Sequence, residues 1–291
     1  MNQFKGTGVA LVTPFLADGS IDFPALRRLV REQIAGGTNF LVVQGTTGES
    51  PTLTADEKKQ VLETVQEENN GTLPVVYGVG GNNTAVVAEN FKKIPAGVDG
   101  ILSVAPYYNK PIQRGFVAHY KAVAQETDLP IILYNVPGRT GSNMLPETTL
   151  ELAEISNIVA MKEASGNMEQ IMEIIRNKPS DFLVLSGDDA ITLPLIAAGA
   201  DGVISVVANS FPKQFAAMVK AALEGDFETS RKLHYSLMPI TKMFFAEGNP
   251  GGVKAALKEL GWMEEFMRLP LVPVSDGLRQ QICAETRKLI G

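Results

Sequence analysis

The sequence predicts a closed (β/α)8 TIM barrel of the α/β class, followed by a C-terminal helical extension. Three observations predict it. Short apolar, β-branched runs recur eight times, helix-period segments separate them, and the chain continues well past the eighth run in a stretch rich in Ala, Leu, Met and Lys. Strands that alternate with helices pair in parallel through right-handed crossovers. A count of eight favours closure into a barrel, with an open doubly wound sheet as the structural alternative.

The runs, in order, span 8–14, 40–45, 74–80, 100–106, 130–137, 158–164, 182–188 and 202–209. Each leads into a turn containing Gly, Thr or Asn. The first helix is expected over 22–36, where Phe23, Leu26, Leu29, Val30 and Ile34 recur at helical spacing. A helix at 55–68 opens on Thr54 and Glu57, the pattern of a capping box. The segment 213–224 supplies a helix to complete the barrel. The expected division is therefore a catalytic barrel over 1–225 and a helical domain over 226–291.

Composition narrows the function. The 291 residues are 45% hydrophobic, enough for a sizeable core, and the net charge of −6 comes without a Lys/Arg run. Neither a nucleic-acid surface nor an anionic-membrane surface is expected. No apolar stretch approaches the ~18 residues of a membrane span, and the start "MNQFKGTG" lacks the regions of a signal peptide. A single cysteine, Cys283, fits a reducing, cytoplasmic setting. With only His119 and His234 present, both in helical segments, no metal site is expected. The loop after the eighth run, "ANSFPK", lacks the glycines of a barrel phosphate cradle.

Chemistry collects at the C-terminal ends of the strands, where barrel active sites lie. The sixth run, "IVAMKEA", places Lys162 directly after four apolar residues. Burial disfavours an ammonium, and a neutral amine attacks carbonyl carbon, so Lys162 reads as a Schiff-base lysine. Two plainer readings stay open: a head group that reaches solvent, or a charge neutralised by Glu163. Tyr134 sits late in the fifth run, where its hydroxyl needs a partner and is placed to move protons on the way to an imine. "GTTGES" (45–50) offers the hydroxyls and backbone amides of Thr46 and Thr47 to a carboxylate. Arg139, in "YNVPGRTG", offers a guanidinium to a second one. Asp188 and Asp189 precede a helix and read as caps rather than metal ligands.

With Lys162, Tyr134, "GTTGES", "YNVPGRTG" and "PYYN" (106–109), the chain closely resembles the dihydrodipicolinate synthase family from end to end. The resemblance implies a lyase of the class I aldolase type in lysine and diaminopimelate biosynthesis, built as a homotetramer, a dimer of dimers. Its substrates would be pyruvate and aspartate semialdehyde, and it would need no cofactor because the lysine imine is itself the electron sink. Matched by motif, Lys162 would form the Schiff base and Tyr134 would be its proton donor and acceptor. Thr46 and Tyr108 would complete a proton relay, with Tyr108 reaching in from the neighbouring subunit. Thr47 would bind the pyruvate carboxylate, Gly187 and Ile204 would contribute backbone groups, and Arg139 would bind the semialdehyde carboxylate.

The resemblance also implies a lysine-binding regulatory site, of which Ser50, Asn82 and Tyr107 remain. Ala55, Lys58 and Val86 stand where inhibited relatives carry histidines and a glutamate, so weak or absent lysine feedback is expected. The rivals are other Schiff-base pyruvate enzymes, N-acetylneuraminate lyase or a keto-deoxy sugar acid aldolase, and a non-catalytic pyruvate-binding relative. Together "GTTGES" and "YNVPGRTG" favour the synthase.

Overall fold

The apolar runs become strands because each is buried on both faces, as parallel barrel strands are. The computed structural model describes residues 2–291. Among these, the strands are β1 (Gly6–Ala10), β2 (Phe40–Val43), β3 (Val75–Gly78), β4 (Gly100–Val104), β5 (Ile131–Asn135), β6 (Ile158–Glu163), β7 (Leu183–Ser186) and β8 (Gly202–Ser205). All pair in parallel in chain order, and β1 closes on β8, which rules out the open sheet. The first strand starts earlier than its apolar run, where Gly6 and Thr7 pair with β8, and ends earlier, because past Ala10 the Val12 N–H turns to the Asn209 side chain.

Inside the barrel lie Phe4, Phe40, Val42, Val76, Leu102, Ile132, Leu185 and Ile204, all buried. Phe4 and Phe40 meet edge to face at 5.7 Å and fill the N-terminal end. A Cβ on Gly8 would lie 2.2 Å from the Phe40 ring, so the plug requires glycine there. Outward-facing strand residues pack on the helices. The helix Phe23–Ala35 is capped by Asp22, and Ala55–Asn69 carries the full Thr54/Glu57 capping box. Pro212–Leu223 completes the eight-fold alternation.

Three further helices follow, Phe227–Phe245, Gly251–Glu259 and Asp276–Ile290. The first two approach so closely that a Cβ on Gly252 would meet the Phe244 backbone at 2.5 Å. Their buried side chains, Leu237, Ile240, Phe244, Val253 and Leu257, share one core cluster with β1, β2 and the early helices. The extension therefore packs beside the strand ends that carry "GTTGES".

Candidate active site

Strands β5 and β6 set the floor of the site. Their register shifts between Ile131 and Ile132, so that Ile131 pairs with Ile158 and Ile132 with Ala160. One extra residue on β6 changes which face every later side chain takes. Beyond it, Tyr134 pairs with Lys162 and Asn135 with Glu163. Tyr134 packs with the barrel interior, and Lys162 stands beside it with its Nζ 4.3 Å from the centroid of the Tyr134 ring. Lys162 is 6% exposed, so its head group does not simply reach solvent.

Glu163 does not neutralise Lys162. It takes the opposite face of the strand, where it accepts hydrogen bonds from Asn135, Gln170 and the Ser165 N–H. Both plainer readings of Lys162 therefore fail on geometry. Burial raises the Glu163 carboxyl above its ordinary range.

Gly187 follows β7 on the face next to Lys162. A Cβ there would lie 3.1 Å from Lys162 Cε and 2.6 Å from Ala164 Cβ, so the position leaves room for the lysine. Ile204 is buried in the same interior layer of β8. The two aspartates divide their roles. Asp188 caps the next turn through Ala190 N–H, as expected, but Asp189 does not act as a cap. It is buried and accepts from the Val206 and Val207 N–H groups, tying the end of β8 to β7, and burial pushes its carboxyl up to about 6.

The "GTTGES" segment leaves β2 as a tight turn, Thr46–Gly48, with Glu49 in the left-handed region at φ 54°. Thr13 Oγ1 donates to the Gly48 carbonyl, and Asn249 Nδ2 donates to Thr47 Oγ1 at 2.9 Å. Glu49 is fully buried and pairs with Lys254 at 2.5 Å. Lys254 also donates to the Thr13 and Phe266 carbonyls and lies over the Phe15 ring. Burial outweighs the Glu49 carboxylate and brings Lys254 down to about 8. Arg268 then bonds Glu57, Gly19 O and Thr52 O. Asn249, Lys254 and Arg268 were not expected from the sequence. The one available signal was a lysine set in the apolar segment "GGVKAAL".

Above this floor lies a cavity of about 290 Å³. Thr46, Tyr134 and Arg139 border it together, so residues from β2, β5 and the turn after β5 converge as expected. Lys162 does not itself border the cavity, but its Nζ lies over the ring of Tyr134, which does. Gln44, another residue not expected, also borders it. Gln44 is 6% exposed with φ 64°, and neither side-chain amide atom has a hydrogen-bond partner among the described residues. Ser50, Tyr107 and Lys58 border the same cavity, and burial lowers Lys58. Asn82 lies on the loop after β3, where its carbonyl accepts from Asn109. Tyr108 is 87% exposed with φ 73° and does not border the cavity.

The structure thus brings a buried lysine beside a tyrosine on adjacent strands of a (β/α)8 barrel, with that tyrosine and an arginine bordering one cavity. A family model, the dihydrodipicolinate synthetase family, matches residues 3–288, and the chain belongs to that family. It is similar to the 4-hydroxy-tetrahydrodipicolinate synthase of Parabacteroides distasonis, 54% identical over 273 residues, covering 93% of this chain and 92% of that one. The enzyme of the same name from Flavobacterium psychrophilum is 51% identical over 291 residues, covering 99% of both chains. Among solved structures, dihydrodipicolinate synthase from Thermotoga maritima superposes with a TM-score of 0.96 at 43% identity over 98% of each chain.

Proposed function

We propose that this chain is a lyase that condenses pyruvate with (S)-aspartate 4-semialdehyde to 4-hydroxy-tetrahydrodipicolinate, a step of lysine and diaminopimelate biosynthesis. The observation that carries the reading is the inward-facing pair of Lys162 and Tyr134 on adjacent strands. Lys162 Nζ adds to C2 of pyruvate, and loss of water gives the imine. Loss of a methyl proton gives an enamine, whose carbon bonds to the aldehyde carbon of the semialdehyde while the aldehyde oxygen takes a proton. The semialdehyde amine then attacks the imine carbon, displaces Lys162 and closes the ring. One water leaves overall, and the lysine is regenerated.

Tyr134 moves protons beside the imine, with Thr46 next in the relay and Tyr108 reaching the partner subunit's site. The high exposure of Tyr108 supports that last role. Thr47 holds the pyruvate carboxylate, its hydroxyl already oriented by Asn249. Gly187 and Ile204 bound the pyruvate side, and Arg139 takes the semialdehyde carboxylate. Residues 1–225 act as the catalytic barrel and 226–291 as a helical domain bracing the "GTTGES" turn through Lys254. The working form is a cytoplasmic homotetramer, a dimer of dimers, in keeping with the exposed Tyr107, Tyr108 and Ile112. Lysine, the pathway product, is at most a weak inhibitor, because Lys58 puts a like charge beside Ser50 and Tyr107.

The test is turnover of pyruvate plus aspartate semialdehyde, coupled to the following reductase. Activity with this pair supports the reading. Activity only with N-acetylneuraminate or a keto-deoxy sugar acid would transfer the chain to another branch of the pyruvate aldolases.

A further inference from the structure

Behind the catalytic strands, on the outer face of the barrel, the structure holds a closed cluster of one carboxylate and three amides. Glu163 is fully buried, and its partners are amides and a backbone N–H rather than cations. Asn135 Nδ2 lies 3.1 Å from one carboxylate oxygen, Gln170 Nε2 lies 3.0 Å from the same oxygen, and Ser165 N lies 2.7 Å from the other. A carboxylate is acceptor-only, so both amides must turn their NH2 groups towards it. That choice sets everything beyond. Asn135 Oδ1 is left to accept from Met144 N at 3.0 Å, and Gln170 Oε1 accepts from Asn143 Nδ2 at 2.7 Å. Asn143 Oδ1 in turn accepts from Asn135 Nδ2 at 2.8 Å.

Asn143 and Met144 end the turn that follows β5, and the short helix Pro137–Thr140 within that turn carries Arg139. This turn has no strand ladder to hold it. Lys162 and Tyr134, by contrast, are fixed by pairing on β5, β6 and β7 whatever Glu163 does. We propose that Glu163 is a positioning residue for the second substrate, locking the Arg139 turn onto β5 and β6 through Asn135, Gln170 and Asn143. The inference rests on the functional reading above and extends it. Glu163 touches neither substrate. It acts by fixing where the guanidinium stands.

The test uses two variants of the full-length enzyme. In Glu163→Gln an NH2 replaces one acceptor and faces either the Asn135 and Gln170 amide donors or the Ser165 N–H, so the cluster loses at least one hydrogen bond and must shift to relieve the clash. Asn143→Ala leaves Glu163 in place and removes the side-chain link to the turn through Asn143, off the barrel strands, while the Met144 N–H to Asn135 link remains. The KM for aspartate semialdehyde is expected to rise about ten-fold or more in both, as for loss of a charge-assisted contact. The pyruvate KM and the rate of borohydride-trapped pyruvate adduct should stay within about two-fold of the parent. A general packing defect would lower both half-reactions together, and that result, or an unchanged semialdehyde KM, overturns the proposal. Should Glu163→Gln fail to fold, Asn143→Ala decides alone. Absence of any pyruvate adduct in the parent enzyme would instead strike the functional reading.

Discussion

Gly187→Ala isolates the space that Lys162 needs. The backbone at Gly187 lies outside the left-handed region, so alanine meets no torsional penalty and the effect is purely steric. The new methyl would stand 2.6 Å from Ala164 Cβ and 3.1 Å from both Lys162 Cε and the Glu163 carbonyl. Carbon contacts are comfortable at about 3.5–4.0 Å, so the end of β7 must withdraw from β6 by roughly 1 Å. Overpacking of this kind costs about 1–3 kcal/mol of stability. A displacement of about 1 Å at a reacting group lowers rates by roughly a hundred-fold. The predicted outcome is a protein that still folds, with a lowered urea midpoint and borohydride trapping of pyruvate slowed ten- to a hundred-fold. Trapping at the parental rate would refute the reasoning, because Lys162 would then not depend on the glycine beside it.

Arg139→Ala should leave pyruvate adduct formation intact and raise the semialdehyde KM, read by comparing trapping with steady-state turnover. Equal loss in both would make the arginine structural. The Arg268 hydrogen bonds hold the Glu57 carboxyl at about 2, against an ordinary 4.5. A carboxyl lowered by folding adds stability that is complete above its ordinary value and lost as pH falls through about 2. Glu57→Gln should therefore cost about 2–3 kcal/mol near neutral pH, allowing for partial exposure, with the deficit shrinking below about pH 5 in urea titrations. Added lysine should not give half-inhibition below about a millimolar, and Lys58→His with Val86→Glu should increase sensitivity in the same assay.

Much of the site was legible because its signals are local. A lysine ending an apolar run, a tyrosine late in the preceding one and a glycine-flanked Thr-Thr pair each announce themselves within a few residues. The eight-fold alternation did the same for the barrel. What stayed hidden depends on register or on distant chain. The shift between Ile131 and Ile132 decides that Lys162 faces Tyr134 while Glu163 faces away, and no residue type marks it. The contacts of Asn249 and Lys254 with Thr47 and Glu49 join segments some 200 residues apart in the chain, beyond the reach of any periodicity. Asp189 looked like a cap because aspartates before helices usually are. Its burial against the end of β8 follows only from barrel closure.

The claim on which the account turns is that Lys162 carries the substrate. Treating the enzyme with pyruvate and borohydride, then mapping the modified peptide by mass, tests it directly. One adduct per chain on Lys162 is predicted, with none in Lys162→Ala and most turnover lost in that variant. An adduct on another lysine, or full activity without Lys162, would contradict the account.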